Sequence, residues 1–199
     1  MKNIARIFSL LFIISGIIFA QDNLTKVKVG IMDKAGNKTS TLKLRDRVKN
    51  GDELSIYVQP LQKSYVYVVC VEPKEVTLLN SSKKFLMEKD KLMVLPSESE
   101  SYKTDDLSPQ MSILVICDKS AIKEIENLFK GKQSVTNTQW AAAEKAIAGN
   151  KKSGLKDNSG KPITIAGNVR RVNPDMVAQL PAFSAEGKLI RKYDIEIKK

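Results

Sequence analysis

The sequence predicts a mainly β fold, a β-sandwich or barrel-like antiparallel sheet, with two helices inserted before the last strands. Many short segments alternate apolar and polar residues, which is typical of strands with one buried face. Two later segments carry apolar residues at helical spacing. The chain has no internal repeat, so this order of elements favours one β-rich domain with a helical insertion.

Residues 1–20 predict a secretory signal peptide. The segment "MKNIAR" carries Lys2 and Arg6 and no acid, the run "IFSLLFIISGIIF" is apolar, and Ala20 precedes the polar "QDN". The apolar run has about 13 residues, whereas a bilayer span wants roughly 20. An uncleaved anchor helix is the alternative. We therefore expect residues 21–199 to form a single domain that is periplasmic or secreted, with no transmembrane helix after cleavage.

The first half of that domain predicts strands joined by polar turns. The segment "TKVKVGI" alternates apolar and polar residues, and "TLKLR" predicts a short second strand. Asn50 and Gly51 form a turn before the strand "ELSIYVQ", which Pro60 ends because proline cannot donate to a ladder. The stretch "SYVYVVCV" is apolar on both faces, which predicts a central strand covered on both sides. The segment "VTLLN" returns from it as a hairpin.

The second half predicts two more strands, two helices and two closing strands. "LMVL" and "MSILVICD" are the strands, and "KSAIKEIENLFKGK" is a helix that Ser120 caps and Gly131 follows. "NTQWAAAEKAIAGN" is the second helix, with Trp140 in the core and Gly149 at its end; a sugar-stacking role for Trp140 is the alternative. "KKSGLKDNSGK" predicts a flexible linker, "PITIAGNVRRV" a strand, and "KLIRKYDIEIKK" a last strand near a sheet edge.

The segment "VKNGDELSIYVQPLQKSYVYVVCVEPKEVTLLNSS" resembles the bacterial domain of unknown function family 4384. That family runs as Gly-Asp-x-Leu-x-Ile-x-Val, then a Tyr-led strand, a turn, and a strand that ends in Leu-Leu/Phe-Pro-Asn. The matching positions are Gly51, Asp52, Leu54, Ile56, Val58, Tyr65, Val66, Tyr67, Val68, Val76, Leu78, Leu79 and Asn80. The family's proline before the asparagine is missing here.

The resemblance divides the domain into a family-like core, residues 26–129, and residues 130–199 with a helix, a linker and closing strands. It implies an extracytoplasmic β-rich module, often attached to peptidase-like or kinase-like partners. The family has no agreed activity, so the resemblance implies no catalytic residue.

The chain contains no histidine, and this excludes several classes of chemistry. Ser-His-Asp and Cys-His catalysis and histidine-ligated zinc all require an imidazole. Two cysteines cannot form a four-thiolate zinc site or hold an iron–sulfur cluster alone. We therefore expect no catalytic residue, no metal and no cofactor.

The two cysteines, Cys70 and Cys117, lie in predicted apolar strands. Burial there raises a thiol pKa and makes a poor nucleophile. In an oxidising compartment they form either a disulfide or two buried free thiols. The disulfide would close a loop of about 47 residues and contribute roughly 3–4 kcal/mol.

The charge is strongly basic, with 33 Lys+Arg against 22 Asp+Glu. Without Lys2 and Arg6, 31 basic residues remain against 22 acidic ones, a net charge of +9. Such a charge attracts anionic polymers, and Arg170 and Arg171 in "AGNVRRV" are a possible anion contact. Nucleic acid is not favoured, because aromatic residues are not interleaved with the lysines.

These observations predict an exported, non-enzymatic binding or interaction module of the bacterial cell envelope, whose partner is an unidentified envelope protein or polymer. One alternative is a basic-surface binder of an anionic polymer, either a glycan or a nucleic acid. A second is a hydrolase that uses carboxylates alone, which needs two carboxyl groups about 5–10 Å apart in a cleft. The acidic loop around Asp105 and Asp106 is a solubilising loop or, less in keeping with its spacing, a calcium site.

Overall fold

The computed structural model describes residues 24–105, 108–149, 156–157 and 177–198. These residues form two facing β-sheets with a layer of helices against one of them, which confirms the predicted mainly β sandwich with two helices before the last strands. The sheets do not close into a barrel. No helix in the described part of the chain is long and apolar enough to cross a membrane. The predicted signal peptide, residues 1–20, lies outside the described residues.

The described elements follow one another as many short strands and two helices. They are β1 (Leu24–Ala35), β2 (Lys38–Thr41), β3 (Arg45–Lys49), β4 (Glu53–Pro60), β5 (Ser64–Val71), β6 (Val76–Leu78), β7 (Leu86–Met87), β8 (Met93–Leu95), β9 (Tyr102–Lys103), β10 (Gln110–Asp118), α1 (Lys123–Leu128), β11 (Ser134–Val135), α2 (Asn137–Ala148), β12 (Lys156–Asp157), β13 (Ala182–Glu186) and β14 (Leu189–Lys198).

Sheet A has the order β12-β13-β1-β4-β8, with β2 paired to β1 and β9 paired to β4. Sheet B has the order β11-β6-β5-β10-β14-β3, with β7 paired to β5. The pairings are antiparallel except that of β14 with β3, which is parallel. The last strand β14 thus lies one position inside the edge, and the expectation of a purely antiparallel architecture is wrong at this one pair.

Two local predictions about strands are wrong. The predicted second strand is not formed: residues 42–44 connect β2 and β3, with Leu42 buried as the alternation indicated and Leu44 exposed. The predicted linker contains β12, whose Lys156 and Asp157 pair with Ser184 and Phe183 of β13. The predicted strand "PITIAGNVRRV" lies outside the described residues.

The main core fills the space between the two sheets. Strand alternation places one set of residues there as predicted, including Val27, Val29 and Ile31 of β1 and Ile195 of β14. The outer face of sheet A carries a smaller cluster of Met32, Tyr57, Val94 and Leu180. Gly30 permits that cluster, because a Cβ at this position would lie 2.5 Å from the Leu180 Cδ2 atom.

Strand β5 is buried on both faces, as its composition predicted. Val66, Val68 and Cys70 face the core between the sheets, while Tyr67 and Val69 face the helices. Its neighbour β10 alternates in the same way and packs against the same two layers. The second core lies under the helices and includes Trp140, which is 2 % exposed, so its predicted place in the core is confirmed.

Helix α1 begins in a way that the sequence did not indicate. Its N-cap is Ile122, which offers no side-chain cap, so the prediction that Ser120 caps the helix is wrong. The Tyr67 hydroxyl from β5 accepts the Ile122 N–H at 3.0 Å and donates to Glu126 Oε1 at 2.7 Å. Tyr67 therefore supplies an acceptor for the N–H of the N-cap residue itself, one of the backbone donors at a helix start that have no partner within the helix.

Helix α2 has local end signals. Thr136 and Gln139 form a reciprocal capping box at its start. Gly149 ends it with φ of 58°, a conformation that favours glycine, and this prediction is confirmed. The Lys188 ammonium donates to the Ile147 carbonyl at the same end. This contact stabilises the helix C-terminus and ties it to the connection between β13 and β14.

Asn80, the last residue of the family-like motif, is fully buried. Its Oδ1 accepts the Val68 N–H at 2.9 Å, and its Nδ2 donates to the Val66 carbonyl at 2.9 Å. The side-chain amide thus acts as a short strand partner for β5, where a backbone partner would otherwise be needed.

We predict that Tyr67→Phe destabilises the protein by about 1–3 kcal/mol, because it leaves the buried Ile122 N–H without an acceptor. Urea unfolding followed by far-UV circular dichroism measures the loss. Tyr65→Phe on the same face of β5 is the matched control, since no described residue bonds to its hydroxyl, and its stability should change by less than about 0.5 kcal/mol. Equal losses in the two variants would contradict the capping role of Tyr67.

Candidate functional site

An open groove of about 880 Å³ lies on the outer face of sheet B, beside the helices. We call it the outer groove. Its lining includes Arg45, Arg47, Glu72, Asn137, Asp194 and Glu196. The groove forms because the second core covers β5, β6 and β10 but reaches β14 only at Ile190. The outward residues of β14 beyond that point carry no helix above them.

The parallel pairing of β14 with β3 sets the charges of the outer groove. The register places Asp194 opposite Arg45 and Glu196 opposite Arg47. Arg47 Nε donates to Glu196 Oε2 at 2.7 Å, and the two side chains are 63 % and 48 % exposed. Exposed pairs of this kind contribute about 0–1 kcal/mol, so they exchange partners at little cost.

Asp194 is a carboxylate of the outer groove with two side-chain partners. It accepts a hydrogen bond from the Ser112 hydroxyl at 2.7 Å and lies 3.1 Å from the Lys192 ammonium. These two contacts, the Ser112 bond first, hold the pKa of Asp194 below its usual value of 3.8. At neutral pH Asp194 is therefore a firmly ionised acceptor, and it does not hold a proton that it could donate to a substrate.

Carboxylate-only hydrolysis requires one carboxyl group with a raised pKa close to a second carboxylate. In the outer groove the pKa of Asp194 is lowered, and Glu196 is held by Arg47. Among the described residues the carboxyl with a clearly raised pKa is Asp33, which does not line the groove. Asp194 is therefore not placed as the general acid that such hydrolysis needs.

Asp33 is a buried carboxyl at the end of the inward face of β1, 8 % exposed. No described residue donates a hydrogen bond to its Oδ1. Burial raises the pKa of Asp33 to about 6, and the negative charges of Asp52 and Asp46 add to the effect. Asp52 itself is held by the Lys49 N–H at 2.7 Å, in the turn before β4.

A second, more enclosed cavity of about 210 Å³ lies between the sheets at one end of the sandwich. We call it the mouth cavity. It is lined by Leu54, Cys70, Leu79, Tyr102, Ile113 and Ile197, among others. Burial raises the pKa of both Cys70 and Tyr102 to about 12. Both groups are therefore neutral at physiological pH.

The two cysteines are free and buried, so the disulfide that the sequence left open is not formed. Both face the core between the sheets, but Cys70 pairs with Ile113 and Cys117 pairs with Val66. The four-residue offset separates them by about 13 Å along the strands, whereas disulfide Cα atoms lie about 4.4–6.8 Å apart. Burial also raises the pKa of Cys117 to about 12, so neither thiol is an activated nucleophile.

The predicted anion contact and part of the acidic loop lie where the structure gives no description. Arg170 and Arg171, the possible anion contact, lie outside the described residues, as does Asp106 of the acidic loop. No group of three or more Cys, Asp or Glu side chains in the described ranges is placed to hold a metal ion.

The sequence analysis did not predict that a charged residue, Arg191, is buried between the sheets. Arg191 points between the sheets, 8 % exposed, with its guanidinium 3.9 Å from the centre of the Phe183 ring. The period of two through Leu189, Arg191 and Tyr193 is the signal that places it there. Stacking on an aromatic ring is a favourable environment for a buried guanidinium.

Comparison with family models, with curated proteins and with solved structures found no match to this chain. The resemblance to family 4384 therefore stays a prediction.

We predict that Asp33→Asn stabilises the protein above pH 6. The protonated form is favoured in the folded state, so wild-type stability falls as pH rises from about 4 to about 6. The difference between 3.8 and about 6 corresponds to about 3 kcal/mol, which the variant regains at pH 7.5 but not at pH 4. Urea unfolding at a series of pH values measures this. Glu75→Gln, at an exposed position, is the control, and its stability should depend on pH as the wild type's does. If the stability of Asp33→Asn also runs parallel to that of the wild type between pH 4 and pH 7.5, the assignment to Asp33 is refuted.

We predict that neither thiol reacts in the folded state. Both are buried and protonated, so labelling by iodoacetamide at pH 8 should require unfolding. Mass spectrometry of unreduced protein should show no adduct in buffer and two adducts in 6 M guanidinium chloride. A single disulfide-linked species without adducts after denaturation would contradict the structure.

Proposed function

We propose that this chain is an exported, non-enzymatic binding module of the bacterial cell envelope, and that the outer groove receives an extended segment of an envelope protein. The proposal of export rests on the signal-peptide pattern of residues 1–20. The proposal of binding rests on one observation: an uncovered sheet face with an open groove in which both signs of charge alternate.

The alternation of charge favours a polypeptide over an anionic polymer. Arg45 and Arg47 each lie beside a carboxylate, Asp194 and Glu196, in the ladder of β3 and β14. A polyanion would have to displace these carboxylates and would offer them no cation in return. A polypeptide segment of mixed charge offers partners of both signs, and such complementarity gives specificity at a docking surface.

The groove has further polar groups that suit a backbone. The Gln110 side chain lines it next to Ser112. Asn137 closes one end, where its Nδ2 donates to the Glu72 and Pro73 carbonyls and fixes the position of the helix start. An extended segment lying along β14 would therefore meet amides as well as charges. Hydrogen bonds to the backbone of the bound peptide are a recurring source of affinity in such recognition.

We predict that Arg45→Gln/Arg47→Gln lowers capture of the partner at least tenfold, because both positive charges of the groove are removed. The measurement is pull-down from the cell's own envelope fraction with quantitative mass spectrometry. Lys130→Gln/Lys132→Gln is the matched control, since it removes the same charge from exposed positions outside the groove and should leave capture unchanged.

A photo-cross-linking amino acid placed at Gln110 identifies the bound segment directly. Equal capture by both double variants, or cross-links to no partner, would overturn the proposal. Retention on heparin above about 0.3 M salt that both double variants weaken alike would instead support the anionic-polymer alternative.

A further inference from the structure

The mouth cavity exists because few strands of sheet A extend to this end of the sandwich. There sheet A contributes Leu54 of β4 and the two-residue strand β9, whereas sheet B contributes residues of β5, β6, β10 and β14. The side chains of the two sheets do not fill the space between them, and about 210 Å³ remains. Protein interiors are otherwise close-packed, so a void of this size is uncommon in a small domain.

The wall of the mouth cavity is apolar and uncharged in its depth. Leu54, Leu79, Ile113 and Ile197 belong to or pack against the main core, with Cys70 between them. Charged side chains, namely Glu72, Lys103 and Asp105, also line the cavity, from the strand ends and the loop at its opening. An uncharged ligand can enter such a space without the large desolvation cost that an ion would meet.

One hydroxyl in the wall is carried by a strand and is available to a ligand. The Thr104 hydroxyl donates to the Lys49 carbonyl at 2.7 Å, and the Thr77 hydroxyl is bonded to that of Ser134 at 3.0 Å. The hydroxyls of two lining residues, Tyr102 and Ser108, have no hydrogen-bond partner within the part of the chain that the structure describes. Tyr102 is the one held in a strand, by pairing with Leu54.

We propose that the mouth cavity is a binding site for a small, neutral aromatic molecule that carries one hydroxyl group. An apolar cavity of about 150 Å³ is known to hold benzene, so about 210 Å³ accommodates a ring with one or two further heavy atoms. The ring lies against Leu54, Ile113 and Ile197, and its hydroxyl bonds to the Tyr102 hydroxyl. The mouth cavity shares Glu72 and Met111 with the lining of the outer groove, but the proposed ligand contacts neither of them, so the proposal stands whether or not the groove binds a partner.

Phenol and toluene are the two probes that test this, because they share a size and differ in the hydroxyl. Titration of the purified chain, followed by the methyl signals of Leu54, Ile113 and Ile197, should show saturable binding of phenol with a Kd below about 1 mM. Tyr102→Phe should weaken phenol binding about 3- to 10-fold, the equivalent of one hydrogen bond, and leave toluene binding unchanged.

Two variants at one position test the cavity itself. Cys70→Leu places a larger apolar side chain in the wall and should weaken binding of both probes, whereas Cys70→Ala keeps the space and should retain it. Methyl signals that do not saturate with either probe, or undiminished binding in a folded Cys70→Leu protein, would overturn the proposal. Equal loss of phenol and toluene in Tyr102→Phe would overturn the assigned hydrogen bond.

Discussion

The burial of β5 on both faces is the constraint on which the rest of the structure depends. A strand that is apolar on both sides cannot face water on either, so it needs a sheet over one face and a second layer over the other. Sheet A satisfies the first requirement, and α1, α2 and their loops satisfy the second. The facing sheet and the helical insertion thus each bury one of the two apolar faces of β5.

The same constraint decides where the two candidate sites form. The helices cover β5 and its nearest neighbours, and they stop short of the far end of β14, which leaves the outer groove. Sheet A covers the other face of β5, but it narrows to β9 near Cys70, which leaves the mouth cavity. Both sites are places where one of the two covering layers ends before the central strands do.

The sequence predicts well the features that depend on one segment alone. The two-sided burial of β5 follows from its composition, and Gly149 ends α2 because its positive φ is a local property. Features that need two distant segments were not predicted. Ser120 does not cap α1, because Tyr67, from a strand 55 positions earlier than Ile122, performs that role.

The outer groove could not be predicted from the sequence, because it too is formed by segments that are distant in the chain. Nothing in the sequence around Glu196 indicates that Arg47, 149 positions away, lies against it. The mouth cavity depends on where two sheets fail to fill a space, and no local pattern encodes that. Alternation gave the face of each residue, but the partner on that face is set by tertiary packing.

Residues of the motif that resembles family 4384 stabilise the fold. Asn80 completes the pairing of β5, Tyr67 caps α1, and Asp52 accepts the Lys49 N–H in the turn before β4. Apart from Glu72, the charged side chains that line the outer groove, Arg47 and Glu196 among them, lie outside that motif. A chain that shares the motif would therefore share the requirement for two covering layers, while the charges of its groove would be free to differ. Under the proposed binding function, specificity would therefore be set mainly by β3 and β14, whose register brings the charges of the groove together.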